Sequence, residues 1–283
     1  MIDEIVYAIK KAETQLSEDT VKALKEAYER ETNPMGKTQL EAILKNVEVA
    51  RKESLPMCQD TGLQTFFLEV GYDFPYMREL KSALVEAVRR ATREIPLRPN
   101  AVHPFLHKNS GDNTGRFVPY IHWELKEGDD ATIHVIPKGG GSENMSGLYM
   151  LSPGVGIKGI KKAVIEHIFK SGGKPCPPTI IGVGIGGGAD LALTLAKKAA
   201  ILRPIGVRHE EDFVAQLEEE LYEMANKLGI GAMGLGGDTT VLDVHVEYAY
   251  RHPATLPVGI VTQCWANRRA KVHIDANGKV EVV

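Results

Sequence analysis

The chain has 283 residues, 34 Lys and Arg against 37 Asp and Glu, a net charge of −3 and 43% apolar residues. That length suits one large domain or two lobes with a full core, and the slightly acidic balance argues against a nucleic-acid-binding class. No apolar run reaches the roughly 18 residues of a membrane span, and Met1-Ile2-Asp3-Glu4 lacks a signal peptide's basic and apolar regions, so a cytoplasmic chain with no membrane partner is expected.

In chain order, residues 2–31 read as two helices, with Ile5, Val6 and Ile9 on the first and Ser17 as N-cap of the second. Asn33-Pro34-Met35-Gly36 breaks the pattern, which resumes at Leu40 and runs to about Lys52. A strand follows at 64–70, then a helix at 77–94. Residues 96–117 have no period, and so long a loop in a compact domain is usually functional or mobile. Tyr120–Leu125 and Thr132–Ile136 alternate around Gly128-Asp129-Asp130 and predict a hairpin. Helices are expected at 157–170, up to 201 and at 210–228, strands at 179–184, 241–248 and 257–261, and a closing hairpin at Asn277-Gly278. The predicted fold class is mixed α/β (α+β), helices packed on mixed sheets in a single large domain, possibly in two lobes.

Three cysteines, an odd count without an export signal, do not make a disulfide framework. Each stands at a backbone break. Cys58 lies in Pro56-Met57-Cys58-Gln59-Asp60-Thr61-Gly62, between a helix and a strand. Cys176 is wedged between Pro175 and Pro177-Pro178, and Cys264 ends an apolar strand before Trp265. No C-x-x-C pair marks a zinc knuckle or a ferredoxin run. Three loop thiolates could hold a cubane iron–sulfur cluster with one iron open as a Lewis acid. Buried thiols, or zinc held by the three with His252, are the competing readings.

The motifs extend beyond the cysteines. Cys-Gln-Asp-Thr-Gly (58–62), Leu-Arg-Pro-Asn-Ala-Val (97–102), Gly-Gly-Gly-Ser-Glu-Asn (139–144), Cys-Pro-Pro (176–178), Ile-Leu-Arg-Pro-Ile-Gly (201–206) and Arg-His-Pro (251–253) follow one another in order. With them the chain resembles, over nearly its whole length, the α subunit of the two-subunit, iron–sulfur class I fumarases and the related L-tartrate dehydratases. The resemblance implies a 4Fe-4S cluster on Cys58, Cys176 and Cys264, with the fourth iron open to a malate carboxylate and hydroxyl. It implies Gln59, Arg98 and Gly141 at the substrate, Asp60 as proton-relay helper, and His252 beside the cluster as hydrogen-bonding partner of the hydroxyl. The expected activity is reversible dehydration of (S)-malate to fumarate, with L-tartrate as alternative substrate; the loop at 141–144 is nearer the fumarase form. Further substrate anchors and a threonine base belong in this family to a second domain, expected as a separate β chain. Residues 1–283 would then form one cluster-binding domain, inactive or nearly so without β, in an α2β2 assembly.

Two readings of another class stand beside this one. The three thiols could serve a non-catalytic metal-binding protein. Gly182-x-Gly184-x-x-Gly187, after a strand and before a helix, has the form of a nucleotide-binding fingerprint. The second strand and its terminal acid are missing where that fingerprint needs them, at Arg203–His209. Backbone amides at this helix start facing an anion are the better use of the glycines. His103, His107, His122, His134 and His245 take structural roles, and Asn113-Thr114-Gly115-Arg116 reads as a plain turn.

Overall fold

The computed structural model describes residues 1–283, and the chain divides into two compact units. The first comprises Met1–Ser17, Asn46–Gly140 and Arg268–Val283, the second Glu18–Lys45 and Gly141–Asn267.

In the first unit, helices α1 (Ile2–Thr14) and α4 (Met77–Glu94) pack on a five-stranded sheet. Its strands are β1 (Leu63–Gly71), β2 (Tyr120–Lys126), β3 (Ala131–Lys138), β8 (Ala270–Ile274) and β9 (Val280–Val282), in the order β2-β1-β3-β8-β9. The helices turn Ile5, Ile9, Leu80, Leu84 and Val88 onto Phe66, Leu68, Ile133, Val135 and Val272. Alternation on the strands and three-to-four spacing on the helices produce this single buried seam.

The hairpin expected at 120–136 does not form. β1 lies between its two arms, parallel to β2 and antiparallel to β3. The 127–130 link therefore bridges the end of β1 instead of closing a two-strand turn. Gly71, Tyr72 and Asp73 donate their N–H groups to Asp130, Lys126 and Gly128 carbonyls at 2.8, 2.9 and 3.1 Å. Gly71 has to be glycine, since a Cβ there would lie 2.1 Å from the Gly128 carbonyl oxygen. Period-two alternation identifies both arms as strands and says nothing about partners. The closing turn is as expected: β8 and β9 pair antiparallel, with Gly278 at φ 79°.

The second unit is a layered α/β structure. Strands β4 (Gly147–Leu151), β5 (Thr179–Gly187), β6 (Val241–Arg251) and β7 (Leu256–Gln263) are ordered β4-β7-β5-β6. Helices α6 (Gly156–Ser171) and α8 (Asp212–Asn226) cover one face, where Val164, Ile168, Leu217 and Leu221 meet Ile181, Val183, Val244 and Ile260. Helix α7 (Ala189–Leu202) lies against the other face. Helix α2 (Glu18–Arg30) belongs here too, and α3 (Pro34–Glu53) passes from this unit into the first. The break predicted at 33–36 is in fact the start of α3. Asn33 Oδ1 accepts from the Met35 and Gly36 N–H groups at 2.9 and 3.3 Å, and Pro34 takes the first helical position.

The glycine fingerprint finds its explanation in packing. Gly182 and Gly184 alternate with Ile181 and Val183, so they face α7. A Cβ on Gly182 would lie 1.9 Å from the Ala196 carbonyl oxygen, one on Gly184 2.0 Å from that of Ala192. Alanines 192, 196 and 200 bring the helix this close. β6 is parallel to β5 and ends in Tyr250-Arg251, without the acid a ribose-binding fold places there. Asp190 already occupies the first turn of α7 with a carboxylate, which opposes the anion-binding use of that helix start. Gly184→Ala is expected to destabilise the chain by on the order of 3 kcal/mol through overpacking. A lower urea midpoint with unchanged slope checks this.

Around the α7–α8 link, ion pairs tie loop to sheet. Arg203 bonds Glu218 and Glu247, and Arg208 bonds Asp243. Burial alone would raise the Asp243 carboxyl. His245, the Gly206 N–H and Arg208 outweigh it and hold the group down to about 2. A depressed carboxyl contributes stability above its unfolded pKa of 3.8 that is lost as pH falls through about 2. Asp243→Asn should therefore flatten the acid limb of the stability curve between pH 4 and 2 by roughly 2 kcal/mol, read from denaturant midpoints at stepped pH.

Candidate functional site

In the first unit, the 56–62 turn is clamped at Met57. The Met57 N–H donates to the Glu13 carbonyl at 3.0 Å, and Asn46 Nδ2 donates to the Met57 carbonyl at 2.8 Å. Cys58 is left half-buried and Gln59 exposed. Gly62 closes the turn at φ 68°, where a Cβ would strike the Lys138 backbone at 2.7 Å, so only glycine fits.

Asp60 is held through both carboxylate oxygens. Its Oδ1 accepts from the Gly62 N–H at 2.9 Å and its Oδ2 from the Gly140 N–H at 2.7 Å. Each oxygen keeps further acceptor capacity, and the residue is only partly buried. The carboxylate thus has a fixed direction and an open side.

Arg98 is brought to the same turn through its backbone. Thr61 Oγ1 accepts from the Arg98 N–H at 3.0 Å, while Asn113 Nδ2 donates to the Arg98 carbonyl at 3.0 Å. Asn113 Oδ1 also accepts from the Asn100 and Ala101 N–H groups at 2.6 and 3.3 Å. Residues 113–116 are more than the plain turn expected. Asn113 is buried at φ 60° and organises the long 96–117 loop. A left-handed Asn is a local signal that sequence does not display. The Arg98 side chain itself is exposed.

Beneath the turn lies a buried pair that sequence reading passed over. Arg268 Nη1 donates to Glu13 Oε2 at 2.7 Å, and Gln64 Nε2 donates to Glu13 Oε1 at 3.3 Å. Burial pushes the Glu13 carboxyl up to about 7 against the pull of Arg268 and Gln64. One signal was present: Glu13 stands four residues after Ile9, in the buried stripe of α1.

In the second unit, Cys176, Cys264 and Gly141 share one end of the sheet. The Trp265 N–H donates to the Cys176 carbonyl at 3.3 Å, and Gln263 pairs with Ile180 at the start of β5. Cys176 takes φ 56°, unusual for a residue with a side chain, and the Met233 N–H fixes the following Pro177 carbonyl at 2.7 Å. The 139–144 run forms a helical turn, α5 (Gly140–Glu143). A Cβ on Gly141 would meet only the Lys174 carbonyl oxygen, at 3.7 Å. The chain's own packing therefore does not require glycine there, and an external group can come close. At the exit of this loop the Met145 carbonyl is gripped by Thr262 Oγ1 at 2.7 Å and His167 Nε2 at 2.9 Å.

His252 is not brought to Cys264. It is exposed in the β6–β7 link, and the eight residues of β7 separate the two, roughly 26 Å at the usual strand rise. Within one chain it is neither a neighbour of the Cys264 thiolate nor the fourth ligand of a Cys3His zinc site.

The donor set suits an iron–sulfur group. All three cysteines are half-buried thiols on loops, and none is in a disulfide. Beside Cys264, Gln263 and Asn267 are at most 1% exposed. Their Oε1 and Nδ2 atoms have no hydrogen-bond partner in the chain, so a buried amide donor lies three residues past Cys264.

Comparison with known proteins covers nearly the whole chain. The sequence model described as fumarate hydratase (Fumerase) matches residues 2–273. The Methanocaldococcus jannaschii protein named "Putative L(+)-tartrate dehydratase subunit alpha" is 49% identical over 282 residues, covering 98% of this chain and 99% of that one. The L(+)-tartrate dehydratase subunit alpha of Escherichia coli K12 is 42% identical over 265 residues, covering 93% of this chain and 87% of its own.

Proposed function

The chain belongs to the fumarate hydratase (Fumerase) family, among the α subunits of its iron–sulfur branch, and from that premise we propose that it is the cluster-bearing subunit of a hydro-lyase for (S)-malate and fumarate. Cys58, Cys176 and Cys264 would hold a 4Fe-4S cluster. When bound, that cluster supplies a Lewis acid that polarises the substrate and makes hydroxide a tolerable leaving group.

The chain's own residues supply position and proton handling. Arg98, with its N–H and C=O both held, is suited to meet a substrate carboxylate through its planar fork. Gly141 offers a backbone contact without a side chain in the way, and Gln59 an amide at the turn's exposed edge. Asp60 presents an aimed carboxyl group whose outward lone pairs can take up or relay the proton removed from the carbon beside the leaving hydroxyl. Its fixing by Gly62 and Gly140 is the observation that carries this reading.

A partner β subunit would complete the site, which is the sense of the name "subunit alpha" among the relatives. L(+)-tartrate is the second reading, favoured by those same names. The test is co-purification with the β subunit under strict anaerobiosis, then kcat/KM for malate, fumarate and L(+)-tartrate. Higher efficiency with malate upholds the first reading, higher efficiency with tartrate the second. Turnover of none by a cluster-loaded complex would overturn both.

A further inference from the structure

Glu13 and Arg268 are 255 positions apart in sequence, yet they form a bonded ion pair at 0% and 1% exposure at the edge of the first unit's apolar core. A buried ion pair is a poor device for stability alone. Well-packed apolar residues of similar volume often do as well or better, because both charges must be stripped of water. The pair's other contacts point elsewhere. Through its carbonyl, Glu13 holds the Met57 N–H at the entrance of the 56–62 turn, and through its carboxylate it holds Gln64 just past the exit. Arg268 Nη2 and Asp60 Oδ2 both flank Gly139. The point where a Gly139 Cβ would stand is 3.1 Å from Asp60 Oδ2 and 3.4 Å from Arg268 Nη2. The next amide, of Gly140, is the one Asp60 Oδ2 accepts. One buried acid therefore touches both ends of the turn, and the guanidinium it orients lies against the same glycine as the oxygen that faces Gly140.

We propose that Glu13 and Arg268 are positioning residues: as a buried pair they set the aim of the Asp60 carboxylate and the placing of the Gly139–Gly140 backbone. In kinetic terms this rests on the hydro-lyase reading above; in structural terms it does not.

The test is the double variant Glu13→Leu/Arg268→Met, which replaces the pair by apolar groups of similar size. It is followed by amide exchange in the chain without its cluster and by kinetics in the loaded α–β complex. The melting temperature should stay within a few degrees of the parent. Exchange in peptides covering 59–64 and 138–142 should quicken about tenfold as the Asp60 bonds to Gly62 and Gly140 loosen. In the complex, kcat should fall about tenfold or more while KM changes little, because a small misplacement of a proton-handling group costs rate before affinity.

Parent-like exchange at both segments would overturn the proposal and leave a pair that is structural only. Should the double variant fail to fold, Arg268→Lys and Glu13→Gln, which keep the volume, carry the same expectation with a smaller change, and parent-like exchange in both overturns it. A parent complex that dehydrates no substrate would remove the functional reading, and the exchange result would still decide this one.

Discussion

Replacing any one of Cys58, Cys176 or Cys264 by alanine is expected to abolish hydro-lyase activity, by about 10³-fold or more. Losing a Lewis acid that contributes several kcal/mol to charge stabilisation costs at least that much in rate. Iron and acid-labile sulfide per chain, about four each in the loaded parent, should fall with it. The fold should persist, since all three residues are half-buried on loops and none belongs to the apolar cores. Cys176 allows a sharper version. Its φ of 56° is tolerated by glycine and strained for other residues. Cys176→Gly should therefore be more stable than Cys176→Ala by roughly 1 kcal/mol, while both lose the cluster. Equal iron content in the variants and the parent would sink the ligand assignment.

The second large effect is expected at Asp60. Asp60→Asn keeps the shape but removes the charge and puts an NH2 group where one of two backbone N–H donors now finds an oxygen. A loss of about 10² to 10⁴ in kcat is expected for a proton-handling group, with iron content intact. A rise in KM with kcat unchanged would make Asp60 a substrate-binding residue. Unchanged kcat would exclude it from proton transfer.

Asp60 also shows where sequence reading stops. That a carboxylate stands beside Cys58 is plain from Cys-Gln-Asp-Thr-Gly. That its two oxygens are held by Gly62 and Gly140, the latter from the glycine-rich run 80 positions away, is not. Only its left-handed backbone and burial distinguish Asn113 from a plain turn residue. His252 matched a family pattern in sequence, and strand geometry carried it to the far end of β7.

Local residue patterns specify the elements and the donor chemistry. Period-two and three-to-four alternation mark strands and helices because each buries one face, and three loop cysteines without C-x-x-C spacing limit what the thiols can do. Long-range packing alone sets β1 between the two arms of the expected hairpin, makes Gly182 and Gly184 admit α7 instead of a nucleotide, and brings Glu13 to Arg268. Those outcomes depend on contacts between segments far apart in the chain. Local periodicity carries no record of which distant segment will supply the partner, because closing a long loop adds only slowly to its entropic cost and leaves many pairings open.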